Sequence, residues 1–202
     1  MNPGACDAPF LSNHDTGRSA GFLRMDAQKM KQAAAVYLML PGLPFVYYGE
    51  EIGMTGSGRD ENKRLPMLWS LTDPAGIPRP PEQADQAQRL KEAADSQEAD
   101  PDSLLAFYRR LLAIRKAHPA LTGGRVEALD LGNPALLAFR ARQGEESALV
   151  IQNLSEETLR LEISWPERLS AGWDTGRGMP ETGPKGLSLP PFSGCVWQTS
   201  LR

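Results

Sequence analysis

Phe10-Leu11-Ser12-Asn13-His14-Asp15 and Pro44-Phe45-Val46-Tyr47-Tyr48-Gly49 are the two stretches whose reading decides the fold. The first is a short apolar run, read as a strand, that passes straight into a polar cluster. The second is an aromatic and β-branched run bounded by Pro and Gly, read as a fully buried strand. Between them Met30, Ala33, Ala34, Tyr37 and Leu38 recur at helical spacing until Pro41-Gly42, which predicts a helix over residues 25–40. Strand, helix and strand with a short return is the unit of a parallel sheet. Its two strands run the same way. Asn13-His14-Asp15 and Gly49-Glu50-Glu51, each just past a strand end, therefore open onto one face, where parallel α/β proteins bind their ligands.

Downstream, Gly56-Ser57-Gly58 and Pro78-Arg79-Pro80-Pro81 are loop material, and residues 82–100 have Leu90 as their only large aliphatic, so they read as a surface excursion. A second helix is signalled by Asp100 as N-cap, Pro101 in the first helical position and Asp102 in the first turn. Leu104, Leu105, Tyr108, Leu111, Leu112 and Ile114 form its apolar face, and Pro119 closes it. From Thr122 the period changes to two. Leu159-Arg160-Leu161-Glu162-Ile163 alternates strictly, and residues 136–139, 148–151 and 195–197 are further strand candidates between turn residues. Closely spaced short strands without helices predict a small antiparallel β-sandwich. The expected boundary lies near 120: residues 1–120 form an α/β portion and residues 121–202 an all-β domain.

The 202 residues carry a net charge of −3, with acids and bases interspersed. A nucleic-acid or anionic-membrane partner needs clustered Lys and Arg, and none is expected. The run at 33–40 is too short to cross a bilayer, and residues 1–6 show neither a basic nor an apolar leader segment, so no signal peptide is expected. Localisation stays open; secretion would have to be read from elsewhere. Cys6 and Cys195, the only cysteines, make neither a disulfide framework nor a metal site.

Phe10-Leu11-Ser12-Asn13-His14-Asp15 resembles the last signature region of glycoside hydrolase family 13, the α-amylase family. The run from Leu40 to Met54 is similar to that family's eighth barrel strand. Arg64-Leu65-Pro66-Met67-Leu68-Trp69 is similar to its Arg-x-Pro-Met-x-Trp segment, and Asp102-Ser103-Leu104-Leu105-Ala106-Phe107-Tyr108-Arg109 to the start of its last barrel helix. The resemblance implies a partial (β/α)8 barrel, its last two strand-helix units, followed by the sandwich. It implies Asp15 as the carboxylate that holds two ring hydroxyls and stabilises the oxocarbenium-like transition state of a retaining glycosidase. His14 would donate to a hydroxyl in the same subsite, Asn13 would orient its neighbours, and Arg64 would either reach the substrate or form a structural ion pair. The substrate class implied is α-1,4-linked glucan and maltooligosaccharide, with α-glucosidase or transglycosylase action as the alternative.

Each residue also has a plainer reading. Asp15 can cap the turn after it, and Tyr47 and Tyr48 can be barrel core. Glu50-Glu51 invites an acid/base assignment, but neighbours along a strand point to opposite sides and cannot flank one bond, so both are read as supporting residues. A complete barrel takes about 200 residues or more, which residues 1–120 cannot supply. The segments bearing the nucleophile Asp and the acid/base Glu have no counterpart here, and the family's calcium-binding insertion would lie upstream. No cofactor is expected in this chain. Alone, it is expected to be inactive and to self-associate or pair with the remaining barrel portion. A rival is a non-catalytic glucan-binding module using Trp165, Trp173 or Trp197 as stacking platforms; another is a relic without function of its own.

Overall fold

The computed structural model describes residues 6–88, 90, 92–162, 169–184 and 186–200. The chain divides into two compact units: residues 1–9, 34–44 and 111–202 make one, residues 10–33 and 45–110 the other.

The first unit is dominated by antiparallel strands. β1 (Arg125–Ala128), β2 (Leu136–Gln143), β3 (Glu146–Asn153), β8 (Gly194–Ser200) and β5 (Ala171–Trp173) form a five-stranded sheet in that order. β4 (Leu159–Leu161), β7 (Gly186–Leu189) and β6 (Glu181–Gly183) form a second. All pairings are antiparallel. Gly144, at a φ of 61°, supplies the left-handed residue of the tight turn joining β2 to β3. Ala138, Leu149, Ile151, Cys195 and Trp197 of the larger sheet share one buried cluster with Leu161, Leu187 and Leu189 of the smaller. Short apolar runs between turn residues made β2, β3 and β8 legible, and alternation made β4 so. The Ile163 end of the expected 159–163 strand lies outside the described residues.

Trp173 is fully buried and Trp197 is 1% exposed. The Trp173 indole lies on Gly194, its ladder partner, where a Cβ would come within 2.4 Å of the ring. Both rings fill the core, which removes them as sugar platforms; Trp165 lies outside the described residues.

In the same unit Arg115 is buried and donates Nη1–H to the carbonyls of Leu38 (2.7 Å) and Leu40 (2.6 Å), and Nη2–H to those of Leu121 (2.8 Å) and Gly42. Carbonyls at the end of α2 (Ala27–Met39) have no partner inside the helix. One guanidinium closes that end and the chain reversal after it.

α2 matches the expected helix, opened by Asp26, whose carboxylate accepts the N–H groups of Gln28 and Lys29 (both 3.0 Å). A four-residue helix not anticipated from sequence, α1 (Ser19–Phe22), precedes it. It is closed by two successive non-glycine residues in the left-handed region, Arg24 and Met25, both at φ 56°. The helix expected from Asp100 is α5 (Leu104–Ala117). Ser103 caps it by accepting the Ala106 N–H at 3.1 Å, while Asp100 is engaged in a turn with the Asp102 N–H at 2.8 Å. Among the described residues of the 82–100 excursion only α4 (Ala94–Ala99) is helical.

The largest departure concerns residues 10–12 and 44–49. Neither stretch is a strand, and among the described residues no parallel ladder forms. Phe10 is 50%, Phe45 62% and Val46 38% exposed, so the second stretch is not fully buried either. Strand propensity is realised only when neighbours supply ladder bonds and cover both faces. No described helix is long and apolar enough to cross a membrane.

Replacing Arg115 by Met keeps the apolar volume but leaves buried carbonyls without donors. It is expected to lower stability by about 3 kcal/mol or more, read as a drop in urea midpoint at unchanged slope.

Candidate active site

The site belongs to the second unit and is built on a turn. The Asn13 carboxamide oxygen accepts the N–H groups of Asp15 (2.8 Å) and Thr16 (2.9 Å), and the Asn13 N–H donates to Thr16 Oγ1 at 3.0 Å. Asn13 therefore caps this turn, in which Asp15 takes part through its backbone N–H. The Asp15 carboxylate is left 68% exposed, with His14 Nε2 at 3.4 Å from Oδ2 and Arg64 Nη2 at 3.8 Å from Oδ1. The structure thus brings Asn13, His14, Asp15 and Arg64 together. Arg64 also faces Asp60 Oδ2 at 3.5 Å, so the two alternatives considered for it are not exclusive.

Two further cations support this turn, and neither was singled out from sequence. Lys63, 8% exposed, donates from Nζ to the Asp15 carbonyl at 2.7 Å and pairs with Asp60 Oδ1 at 3.0 Å. The hydrogen bond and charge of Lys63 hold the Asp60 carboxyl below its ordinary value. Arg18, 2% exposed, packs against an edge-to-face tyrosine pair whose centroids are 4.8 Å apart, its Cζ 4.5 Å from the Tyr47 centroid and 4.6 Å from that of Tyr48. Its Nε–H donates to the Lys63 carbonyl (3.0 Å), Nη1–H to that of Tyr48 (2.6 Å), and its backbone N–H to that of Gly56 (2.9 Å). Burial lowers its pKa, while the nearby tyrosines and Glu50 act the other way. Tyr47 and Tyr48 together support one side of Arg18, with their hydroxyls donating to the carbonyls of Lys63 (3.2 Å) and Leu65 (2.8 Å). A basic residue three positions past Asp15 and an adjacent tyrosine pair were the available signals; nothing in the spacing said that they meet.

Glu50 and Glu51 do not alternate along a strand. They lie in a 3₁₀ turn, Glu50–Ile52, set between Gly49 (φ 81°) and Gly53 (φ 79°). Glu50 is buried and accepts from the hydroxyls of Ser12 and Tyr108, the latter at 3.2 Å. Burial raises the Glu51 pKa above its ordinary 4.5. The Glu50 carboxylate is thereby fixed in the interior, while Glu51 is half-buried.

The 82–100 excursion is fastened to the same region. The Gln88 carboxamide accepts the Thr55 N–H (3.0 Å) and donates to the Thr55 carbonyl (2.9 Å); Gln86 does the same with Ser57 (3.2 and 3.1 Å). Asn62 ties Ser57 and Asp85 together from one side chain, donating to the Ser57 carbonyl at 2.9 Å and to Asp85 Oδ1 at 2.7 Å. Among the described residues no group of three or more His, Cys, Asp or Glu side chains is arranged to hold a metal ion.

A family profile described as "Alpha amylase, catalytic domain" matches residues 1–124. The chain is 37% identical over 160 residues to Alpha-amylase 3 of Dictyoglomus thermophilum, which covers 76% of this chain and 31% of that protein. It is 32% identical over 179 residues to a probable alpha-glucosidase of Rhizobium meliloti, covering 76% of this chain and 32% of the relative. The solved structure of Eubacterium rectale Amy13B superposes with a TM-score of 0.93 at 34% identity, over all of this chain and 40% of that one. The chain belongs to the α-amylase family of glycoside hydrolases, glycoside hydrolase family 13. It spans about a third of the length of these two curated relatives.

Arg18→Lys removes the planar ion that packs against both tyrosine rings and reaches two carbonyls at once. It is expected to cost about 2 to 4 kcal/mol, measured as a fall in denaturation midpoint with a changed tyrosine near-ultraviolet signal. The raised Glu51 pKa means the fold favours its protonated form. That contribution is present below the ordinary value of 4.5 and is lost as pH rises through the folded value. Glu51→Gln is accordingly expected to raise the thermal midpoint at pH 7 and leave it unchanged at pH 4.

Proposed function

We propose that this chain forms the end of the catalytic domain of a retaining α-glucan hydrolase acting on α-1,4-glucosidic bonds of starch-derived oligosaccharides. In this reading residues 1–120 supply the last two strand-helix units of a (β/α)8 barrel, in which 10–12 and 44–49 become strands only against the barrel's other strands, and residues 121–202 form a C-terminal β-sandwich. The observation that carries it is the Asn13–Thr16 turn. Its backbone is locked by a neutral carboxamide, so the Asp15 carboxylate is free to meet a ligand with both oxygens, and His14 and Arg64 stand beside it. A carboxylate so presented suits two adjacent sugar hydroxyls. Hydrogen bonds to hydroxyls that strengthen as the ring becomes oxocarbenium-like lower the barrier rather than merely binding the sugar.

Asp15 is thus assigned the transition-state role, His14 and Arg64 contacts to the same glucosyl unit, and Asn13 the positioning of the turn. The nucleophile and the proton donor that such a reaction needs are assigned to the part of the relatives' length that these residues do not span. Residues 1–202 by themselves are proposed to cleave no glycoside. The kinship to a probable alpha-glucosidase favours as second reading an α-glucosidase or transglycosylase with the same turn and the same role for Asp15.

The test is complementation. The chain is mixed with a separately produced portion of the catalytic domain bearing the other two carboxylates, and maltooligosaccharide cleavage is followed. Activity is expected only in the mixture, and Asp15→Asn is expected to reduce kcat by about 10²-fold or more. Cleavage that survives the substitution undiminished would remove Asp15 from the reaction.

A further inference from the structure

β1 is an edge of the five-stranded sheet, with β2 on one side of it and no described strand on the other. All four of its residues are exposed, Val126 to 51%. The Leu129 N–H, just past the strand, donates to the Ala138 carbonyl of β2 at 2.9 Å, which fixes the backbone groups that the ladder uses. Bonded and non-bonded positions alternate in an antiparallel pair. Arg125 and Glu127 therefore bond to β2, while Val126 and Ala128 turn their N–H and C=O groups away from it. An unpaired edge is a template for another strand unless something blocks it, and charge is a common block. Here the two charges have opposite sign. Arg125 and Glu127 share one face, with Val126 between them on the other. Arg125 is also unanswered within its own sheet. Its ladder partner is Arg142, a like charge, and among the described residues no carboxylate pairs with it. Glu127 meets Arg142 at 3.7 Å, with both side chains well exposed, a contact that contributes little. Like charges directly opposite are unfavourable, so Arg125 lacks an acid that β2 does not supply.

We propose that β1 is an interaction surface for a second copy of this chain, joined edge to edge about a two-fold axis at Val126. Such an axis maps a strand onto its own antiparallel partner, so each contact is made twice. The outward N–H and C=O groups of Val126 meet those of the partner's Val126, and the two residues exchange both hydrogen bonds. Arg125 then stands opposite the partner's Glu127, and Glu127 opposite the partner's Arg125. These are the closer, non-hydrogen-bonded positions, where side chains touch. The two valines meet on the other face and cover apolar surface that is open in the single chain. Moving the axis by one residue would set Glu127 against the partner's Glu127, or Arg125 against the partner's Arg125. Charge thus selects one register. The two five-stranded sheets become one of ten strands. The opposite edge, β5, is three residues long and ends on the buried Trp173, so it offers no comparable template. A contact confined to four residues of each copy is small, and the dimer is accordingly weak and concentration-dependent.

The test is sedimentation equilibrium of the full 202-residue chain over a concentration series. Monomer and dimer are expected to interconvert, with dimerisation weakened by added salt. Val126→Pro removes an N–H that β2 does not use, a change that an edge strand accommodates. It is expected to weaken dimerisation about tenfold, with the far-ultraviolet circular dichroism and the urea midpoint unchanged. Arg125→Glu is expected to weaken it similarly, because it sets acid against acid across the axis while giving Arg142 an opposite charge within its own chain. Glu127→Arg sets base against base and is expected to act alike. Mixed in equal amounts, the Arg125→Glu and Glu127→Arg chains are expected to form a heterodimer at concentrations where neither associates with itself. A chain that stays monomeric at every concentration, association that survives Val126→Pro undiminished, or a mixture without heterodimer would each overturn the β1 contact, and none of these outcomes bears on the role of Asp15.

Discussion

A guanidinium taken out of water needs compensation, and at Arg18 it comes from backbone carbonyls and ring faces rather than from a direct ion pair. The distinction matters because carbonyls belong to the chain path. A carboxylate on a flexible stem can follow a cation; the carbonyls of Lys63 and Tyr48 cannot move without moving the segments that carry them. Arg18 therefore sets the mutual placement of the 12–18, 47–48 and 63–65 segments. Lys63, whose carbonyl Arg18 and Tyr47 both hold, returns the constraint to the site by donating to the Asp15 carbonyl. Arg115 applies the same chemistry to four carbonyls within the other unit. Both positions use the planar fork that Lys lacks.

Within the site the labour is divided between neighbours of almost the same shape. Asn13 does the local capping with a neutral oxygen, and Asp15, two residues on, is excused from it. Had the residues been reversed, the acid would have been spent on backbone N–H groups. The same separation holds for the pair that looked most catalytic in sequence. Glu50 is fully engaged by Ser12 and Tyr108, and Glu51 is turned into a desolvated position.

Legibility followed the range of the determining interaction. α2 and α5 were readable because apolar residues at helical spacing are a local signal, and β2, β3 and β8 because short apolar runs bounded by turn residues are. The start of α5 was misplaced by one turn, since Asp100 and Ser103 are equally good caps and only the chain path chooses between them. β5, β6 and β7 escaped notice because Ala171-Gly172-Trp173 and its counterparts owe their extended form to partners rather than to composition. The 44–49 stretch shows the converse, strong propensity without a ladder. In the site, the Asn13-His14-Asp15 cluster was readable as a pattern, whereas Arg18 and Lys63 were not. The approach of Lys63 and Arg64 to the Asp15 turn depends on the route from Gly49 through Gly56, where left-handed glycines redirect the chain and no periodicity survives.

The carboxamides of Gln86 and Gln88 each engage both backbone groups of a single residue, as an adjoining strand would. A segment moored this way has no register in the sense a strand has. A strand that gains or loses one residue turns all its side chains to the wrong face, but two amide moorings tolerate insertion or deletion outside themselves. The 82–100 excursion can thus change in length outside its two moorings while Thr55 and Ser57 stay where they are, and the Asp15 turn with them.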